Sequence, residues 1–203
     1  MRLSVGLLSL LLFVIPAQAQ LLNADMEDQD SGIFGWVKNW SVTGGGWADH
    51  ATFARANSET LGEKFAFWSA NLDQILGQVS SWTFAPNTTY TFTSWAIGGG
   101  NDIGIVPYQI GYLEGGTNIA TNFVELATQT YDVTGQGGWA LLPGVSYTTG
   151  SDGPEIGQPI VVRFGGVNQG GDSDIWVDNA SLTPEPASLV LVLLGGLAVL
   201  RRR

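Results

Sequence analysis

The chain has 203 residues, room for one domain and short targeting segments. Between Gln20 and Thr183, seventeen acidic side chains stand against Lys38, Arg55, Lys64 and Arg163, a net charge of −13 that repels phosphate backbones and excludes nucleic acid as a partner. Disulfides and thiolate metal sites are excluded because there is no cysteine, and a single histidine, His50, leaves no imidazole set for zinc catalysis.

At the N-terminus Met1–Ala19 carries Arg2, an apolar run from Val5 to Ile15, and Ala17-Gln18-Ala19, the small-x-small ending that signal peptidase accepts. This order predicts an N-terminal signal helix cut after Ala19, with the mature chain starting at Gln20. From there to Thr183 the apolar stretches are short and rich in β-branched and aromatic residues, and small polar residues and glycine separate them. Strands are expected at Trp36–Val42, Ala51–Arg55, Lys64–Ser69, Ser81–Phe84, Thr88–Ile97, Ile105–Leu113, Asn122–Leu126, Ile160–Phe164 and Ile175–Leu182. One helical turn is expected over Asn71–Leu76. Pro86-Asn87 reads as a turn, and the glycine runs Gly44–Gly46, Gly98–Gly100 and Gly170–Gly171 read as loops. Short strands separated by turn residues imply an all-β fold, an antiparallel β-sandwich spanning residues 20–183.

Residues 184–203 change character. Pro184-Glu185-Pro186 precedes fourteen uncharged residues, Ala187–Leu200, and then Arg201-Arg202-Arg203. As a helix at ~1.5 Å per residue, that run covers ~21 Å, short of a ~30 Å hydrocarbon core. The arginines can reach the cytoplasmic headgroups and orient the segment, and the prolines stop a helix from running back into the β-domain. The expected arrangement is a short C-terminal hydrophobic helix held transiently in the inner membrane.

Pro184-Glu185-Pro186, the apolar run and the basic end resemble, in order, the PEP-CTERM sorting signal of exopolysaccharide-producing Gram-negative bacteria. The resemblance implies processing near the tripeptide by an exosortase and delivery to the cell surface or extracellular matrix. The opening Leu22-Asn23-Ala24-Asp25-Met26-Glu27, the Gln78 and Pro86–Thr91 region, and the closing Ile175-Trp176-Val177-Asp178-Asn179-Ala180-Ser181-Leu182 resemble galactose-binding-like jelly-roll modules, with Ala24 and Met26 departing from the usual opening. That second resemblance implies a jelly roll and a structural calcium ion held by Glu27 and Asp178, with Asp25 as a third ligand. Ordinary surface acids are the alternative.

The candidate chemistry is sparse. No nucleophile-elbow pattern surrounds a serine, and His50 beside Asp49 reads as a surface residue. Asp172-Ser173-Asp174 reads as an acidic turn. Of the eight tryptophans, all between Gln20 and Thr183, Trp40, Trp68 and Trp95 stand within predicted strands and are expected in the core. Trp47 and Trp139 follow glycine pairs or runs, positions that suit an exposed platform for sugar rings, with core packing as the alternative. The expected function is therefore non-catalytic: a surface-delivered sandwich that binds or organises extracellular polysaccharide through Trp47 and Trp139. A matrix or adhesion protein without a ligand site is a second class. An exported glycoside hydrolase using two of the many carboxylates is a third.

Overall fold

The structure, a computed structural model, describes residues 21–27, 37–43, 46–50, 64–69, 75–98, 104–165 and 174–186. The leader, the tail after Pro186 and the expected strand Ala51–Arg55 lie outside the described residues, as do Asp172 and Ser173. Eleven strands follow one another: β1 (Ser41–Thr43), β2 (Gly46–His50), β3 (Lys64–Ser69), β4 (Ile75–Thr83), β5 (Thr88–Gly98), β6 (Ile105–Leu113), β7 (Phe123–Asp132), β8 (Ala140–Leu141), β9 (Val145–Thr148), β10 (Pro159–Gly165) and β11 (Asp174–Pro186). They form an antiparallel sandwich. One sheet has five strands in the order β1-β4-β10-β6-β7; the other has six, in the order β2-β3-β11-β5-β8 with β9 also on β5.

The expected all-β jelly roll is the fold observed. β3 and β6 occupy their expected spans. β4 begins at Ile75, so Ile75 and Leu76 extend a strand instead of closing a helical turn; their side chains are buried on a strand that pairs with both β1 and β10. Gly46 opens β2, which puts Trp47 in a strand and not in a loop. β11 runs past Thr183, and Pro184, Glu185 and Pro186 stay in register with Tyr90, Thr89 and Thr88 of β5. Proline is tolerated there because, among the described residues, β3 flanks β11 only from Asp174 to Val177, short of the prolines.

Alternation along the strands builds the core. Tyr90, Phe92, Ser94 and Ala96 of β5 are buried between the sheets, while Thr89, Thr91, Thr93 and Trp95 face outward and are half-buried. Phe92 meets Phe164 of β10 at 5.1 Å between ring centroids, and Trp40 stacks on the same Phe164 at 6.1 Å. These contacts tie the two sheets across the middle of the sandwich.

One side of the sandwich is closed by a segment outside both sheets. Leu21 and Met26 enter the core. Between them, Leu22 exchanges two hydrogen bonds with Gln78 of β4: its N–H donates to Oε1 at 2.7 Å, and its carbonyl accepts from Nε2 at 2.8 Å. The same Nε2 donates to the Asn39 carbonyl at 2.9 Å. Ala24 then accepts from the Ala180 N–H of β11 at 2.8 Å. That N–H is available because the register against β5 shifts between Asp178 and Ser181, with Asn179 at φ 47°. Residues 21–27 thus strap one sheet to the other.

Gln78→Ala should lower stability by about 3 kcal/mol, since it removes three hydrogen bonds at a buried site and leaves their backbone partners unsatisfied. Urea unfolding checks this; a midpoint equal to that of the unsubstituted protein would show that the strap is dispensable.

Candidate functional site

The outer face of the five-stranded sheet carries a line of polar side chains that runs across three strands. Arg163 of β10 pairs with Gln109 of β6, and Glu125 of β7 lies two pairs along, opposite Gly111. Arg163 Nε donates to Gln109 Oε1 at 2.5 Å, and Gln109 Nε2 donates to Glu125 Oε2. The outcome is an arginine–amide–carboxylate chain in which Gln109 is buried and Glu125 is exposed. Burial pulls the Arg163 guanidinium below its ordinary pKa, and the charge of Glu125 offsets part of that. The guanidinium also lies 3.8 Å above the centroid of the Phe123 ring.

Around this chain lies a small apolar cluster separate from the main core. It contains Ile75, Ile119 and Val161, with Leu113, Ala120 and Phe123 packed on it. Ile119 comes from the turn between β6 and β7, which folds back over the sheet. Asn118 Oδ1 accepts from the N–H groups of Ala120 and Thr121 at 2.8 and 3.2 Å, and Asn122 Nδ2 donates to the Glu114 carbonyl at 3.1 Å. So folded, the turn offers the Ile119 carbonyl to Arg163 Nη1 at 2.9 Å. Gly77 permits the approach: a Cβ there would lie 2.8 Å from Arg163 Cβ and 3.1 Å from Ile119 Cδ1. The arrangement sets an exposed carboxylate, Glu125, beside a closed apolar cluster and an aromatic ring whose face is covered by the Arg163 guanidinium.

The residues singled out from the sequence lie elsewhere. Trp47 of β2 is in register with Phe67, Phe67 with Trp176, and Trp176 with Ile97, across four strands of the six-stranded sheet. Trp139 precedes Ala140, the partner of Ala96, and so falls in line with Ile97 at the end of this row. The adjacent row contains Ala96 and Val177, both wholly buried in the core, which assigns Trp176 and Ile97 to the outer side of β11 and β5, where Ile97 is itself buried. Trp139 and Trp176 are half-buried there. Trp95, expected in the core, is also half-buried on the outer side. Asp178 is completely buried at the bulge, where its Oδ1 accepts from the Asn179 N–H at 2.7 Å and its carbonyl accepts from Ser94 Oγ at 2.6 Å. Glu27 ends the strap, half-buried, and Asp25 is exposed. Among the described residues no group of three or more His, Cys, Asp or Glu side chains could hold a metal ion.

Arg163, Gln109 and Glu125 escaped notice because strand periodicity reads Ile160–Phe164 as a buried strand. The available signal was Arg163 itself, one of four cations in an acidic domain, set inside an otherwise apolar strand.

Together the two sheets and their connections define an all-β jelly-roll domain. The family model HpiC1-like, described as HpiC1 cyclase, matches residues 18–183, and the chain belongs to that family. No curated protein matches the sequence. Among solved structures, a cyclase from Fischerella sp. TAU in complex with 4-(1H-indol-3-yl)butan-2-one is similar, with a TM-score of 0.62 and 17% identity over 81% of this chain and 96% of that one. A Stig cyclase, FisC, from the same organism in complex with (3Z)-3-(1-methyl-2-pyrrolidinylidene)-3H-indole gives 0.63 and 17% over the same shares. A candidate sugar-binding protein from Bacteroides thetaiotaomicron gives 0.57 and 10% over 83% of this chain and 100% of that one. At these identities the structural likeness shows the fold.

Family membership overturns the expectation of a non-catalytic domain. That expectation rested on the scarcity of nucleophiles and metal ligands. Ring closure by isomerisation needs neither, because one substrate atom gains a proton while another loses one.

Beneath the polar chain, Tyr108 is wholly buried and donates to the Pro143 carbonyl at 2.5 Å. Burial, with a smaller contribution from Tyr131, pushes its pKa from 10.0 up to about 12. A raised pKa means stability that is intact below pH 10 and lost as pH climbs through about 12, up to about 3 kcal/mol. Melting temperature should therefore fall steeply over that window, and Tyr108→Phe should flatten the fall. An equally steep decline in the variant would assign the alkaline transition to other groups.

Proposed function

We propose that this protein is a surface-delivered member of the cyclase family that binds an apolar, ring-forming substrate on the outer face of the five-stranded sheet. The observation that carries this reading is the Glu125–Gln109–Arg163 chain lying on the apolar cluster. Glu125 exchanges the proton that cyclisation moves. Gln109 fixes the carboxylate, and Arg163 fixes Gln109. Phe123 and Ile119 supply the water-excluding wall. The reaction is an isomerisation, so it calls for no oxidant, reductant or cofactor. The two cyclase structures contain indole compounds, which makes an aromatic, nitrogen-bearing skeleton the first substrate class to try.

The test uses 4-(1H-indol-3-yl)butan-2-one as the probe. Titration followed by amide NMR should shift Gln109, Phe123, Glu125 and Arg163. With any acyclic substrate that the protein turns over, Glu125→Gln should cut turnover by about 100-fold or more and leave binding intact. Shifts confined to another face, or full activity in the variant, would end the proposal for this site.

A second reading, that the domain also binds extracellular polysaccharide, is favoured by one observation: Trp47 and Trp139 fall on a single cross-strand row.

Delivery is part of the same proposal. Signal peptidase would cut between Ala19 and Gln20, and residues 187–203 would hold the chain in the inner membrane until an exosortase acts. Since Pro184–Pro186 pair with β5, cutting must fall beyond Pro186 or be preceded by unpairing of these three residues. Structural calcium at Glu27 and Asp178 belongs to this reading too. The fit rests on a carboxylate buried completely at the bulge, two residues from the Ala180 amide that holds the strap. Backbone carbonyls and water would complete the six to eight oxygens that calcium takes. Native mass spectrometry of protein released from an exosortase-bearing host should find a chain that starts at Gln20, lacks the arginine end and carries one calcium. Asp178→Asn should remove the ion. A full-length chain would defeat the processing scheme, and a metal-free one the calcium site.

A further inference from the structure

We propose that Ile119 is a built-in stand-in for substrate: in the empty protein it fills a subsite for a branched aliphatic group next to a carbonyl, and such a ligand binds by displacing it. This rests on the cyclase-site reading and deepens it by naming the group recognised beside the Glu125–Gln109–Arg163 chain. Ile119, part of the wall while the site is empty, is the piece that moves.

The floor of the subsite comes from strand register. Arg163 of β10 lies opposite Gly77 of β4, and Val161 lies opposite Gly111 of β6, so two positions on the outer side of the sheet carry no side chain. The Phe123 ring takes the space over Gly111, where an added Cβ would fall 2.6 Å from Cζ. Over Gly77 the space is taken by Ile119 Cδ1, 3.1 Å from such a Cβ, and by the stem of Arg163. Ile75 and Val161 form the walls. Both are buried although they face away from the main core, and Ile119 completes their cluster. An apolar patch in that position needs a cover, and a turn of the chain supplies it.

That turn, residues 114–122, holds its own shape. The Glu114 N–H donates to the Asn122 carbonyl and the Asn122 N–H to the Asn118 carbonyl, both at 2.9 Å. The side chains of Asn118 and Asn122 also bond within the turn. Among the described residues, its one hydrogen bond to the sheet runs from Arg163 Nη1 to the Ile119 carbonyl. The turn can therefore swing away without breaking its internal bonds. What it leaves behind is an apolar hollow over Gly77 and a guanidinium donor beside it, while Arg163 Nε keeps Gln109.

A ligand that restores both contacts needs what Ile119 brings: a hydrogen-bond acceptor, one carbon, then a branched alkyl group. Exchange of one for the other keeps the Arg163 donor paired in the empty and the loaded protein alike. Binding selects the state in which the turn is displaced.

The test is methyl NMR on the full secreted protein with labelled isoleucine and valine methyl groups. The probe is 4-methylhexan-2-one, which reproduces the carbonyl-to-branch skeleton of an isoleucine residue. On titration the Ile119 δ-methyl should lose its nuclear Overhauser contacts to Ile75 and Val161, and the ketone should gain contacts to both. Butan-2-one, which keeps the carbonyl without the branch, should bind about tenfold more weakly or worse. Ile119→Val trims the methyl that rests over Gly77 and should tighten binding of 4-methylhexan-2-one by about fivefold, because a weaker plug is displaced more readily. Gly77→Ala should abolish binding; because that variant can fail to fold, the valine variant decides. Ile119 contacts that survive saturation, equal affinity for the two ketones, or unchanged or weaker binding by Ile119→Val overturns the displacement. If 4-(1H-indol-3-yl)butan-2-one then still shifts Gln109, Glu125 and Arg163, the site reading stands without it. If none of these ketones perturbs this face, both fall.

Discussion

The sandwich depends on how its two sheets are joined along an open side, and Gln78 is the residue that makes the join. Its amide is buried, so each of its polar atoms must find a partner within the protein. It finds them in two chain segments that belong to neither sheet: Leu22 on the strap and Asn39 before β1. Trp40 adds a further tie by donating its indole N–H to the Asn23 carbonyl at 3.1 Å. The strap can then hand its Ala24 carbonyl to the bulge of β11. Met26 at φ 57° and Asn23 at φ 50° mark the tight path of the strap. Without this stitch, Leu21 and Met26 would leave the core and the apolar edge between the sheets would face water.

The join also frees both outer faces. Because core residues are supplied by alternate positions on each strand, the remaining positions are not needed to hold the sheets together. On the five-stranded sheet they have become an arginine–amide–carboxylate chain over a minor apolar cluster. On the six-stranded sheet they include the half-buried Trp95 and Trp176. A jelly roll can therefore host unlike ligands without altering its interior, and a fold shared with cyclases and with a candidate sugar binder assigns no ligand by itself.

The two faces differ in how they were visible beforehand. A tryptophan can be counted and its flanking glycines noted, so Trp47 and Trp139 stood out even though Trp47 proved to be a strand residue. Glu125 is one acid among seventeen and Gln109 one amide among many. Nothing in their local sequence relates either to Arg163, because Arg163 and Gln109 are fifty-four positions apart and meet only through the pairing of β10 with β6. Hydrogen-bond chains across strands are long-range by construction. Periodicity within one strand says only which face a residue takes, not what stands beside it.

Local chemistry was sufficient for the fold class. The β-branched run Ile160-Val161-Val162, the alternation from Thr88 to Ile97, and the Pro86-Asn87 turn, where Asn87 takes φ 49°, each express a backbone preference that acts over a few residues. The same holds for the acidic surplus and for the absence of cysteine, which are properties of composition. Tertiary structure alone decided the strand order, the strap that closes the sandwich, the extension of β11 through Pro184–Pro186, and the meeting of Arg163, Gln109 and Glu125. Each of these depends on which distant segments share a sheet, and that choice is settled by packing of the whole core, where no short stretch of sequence contains the answer.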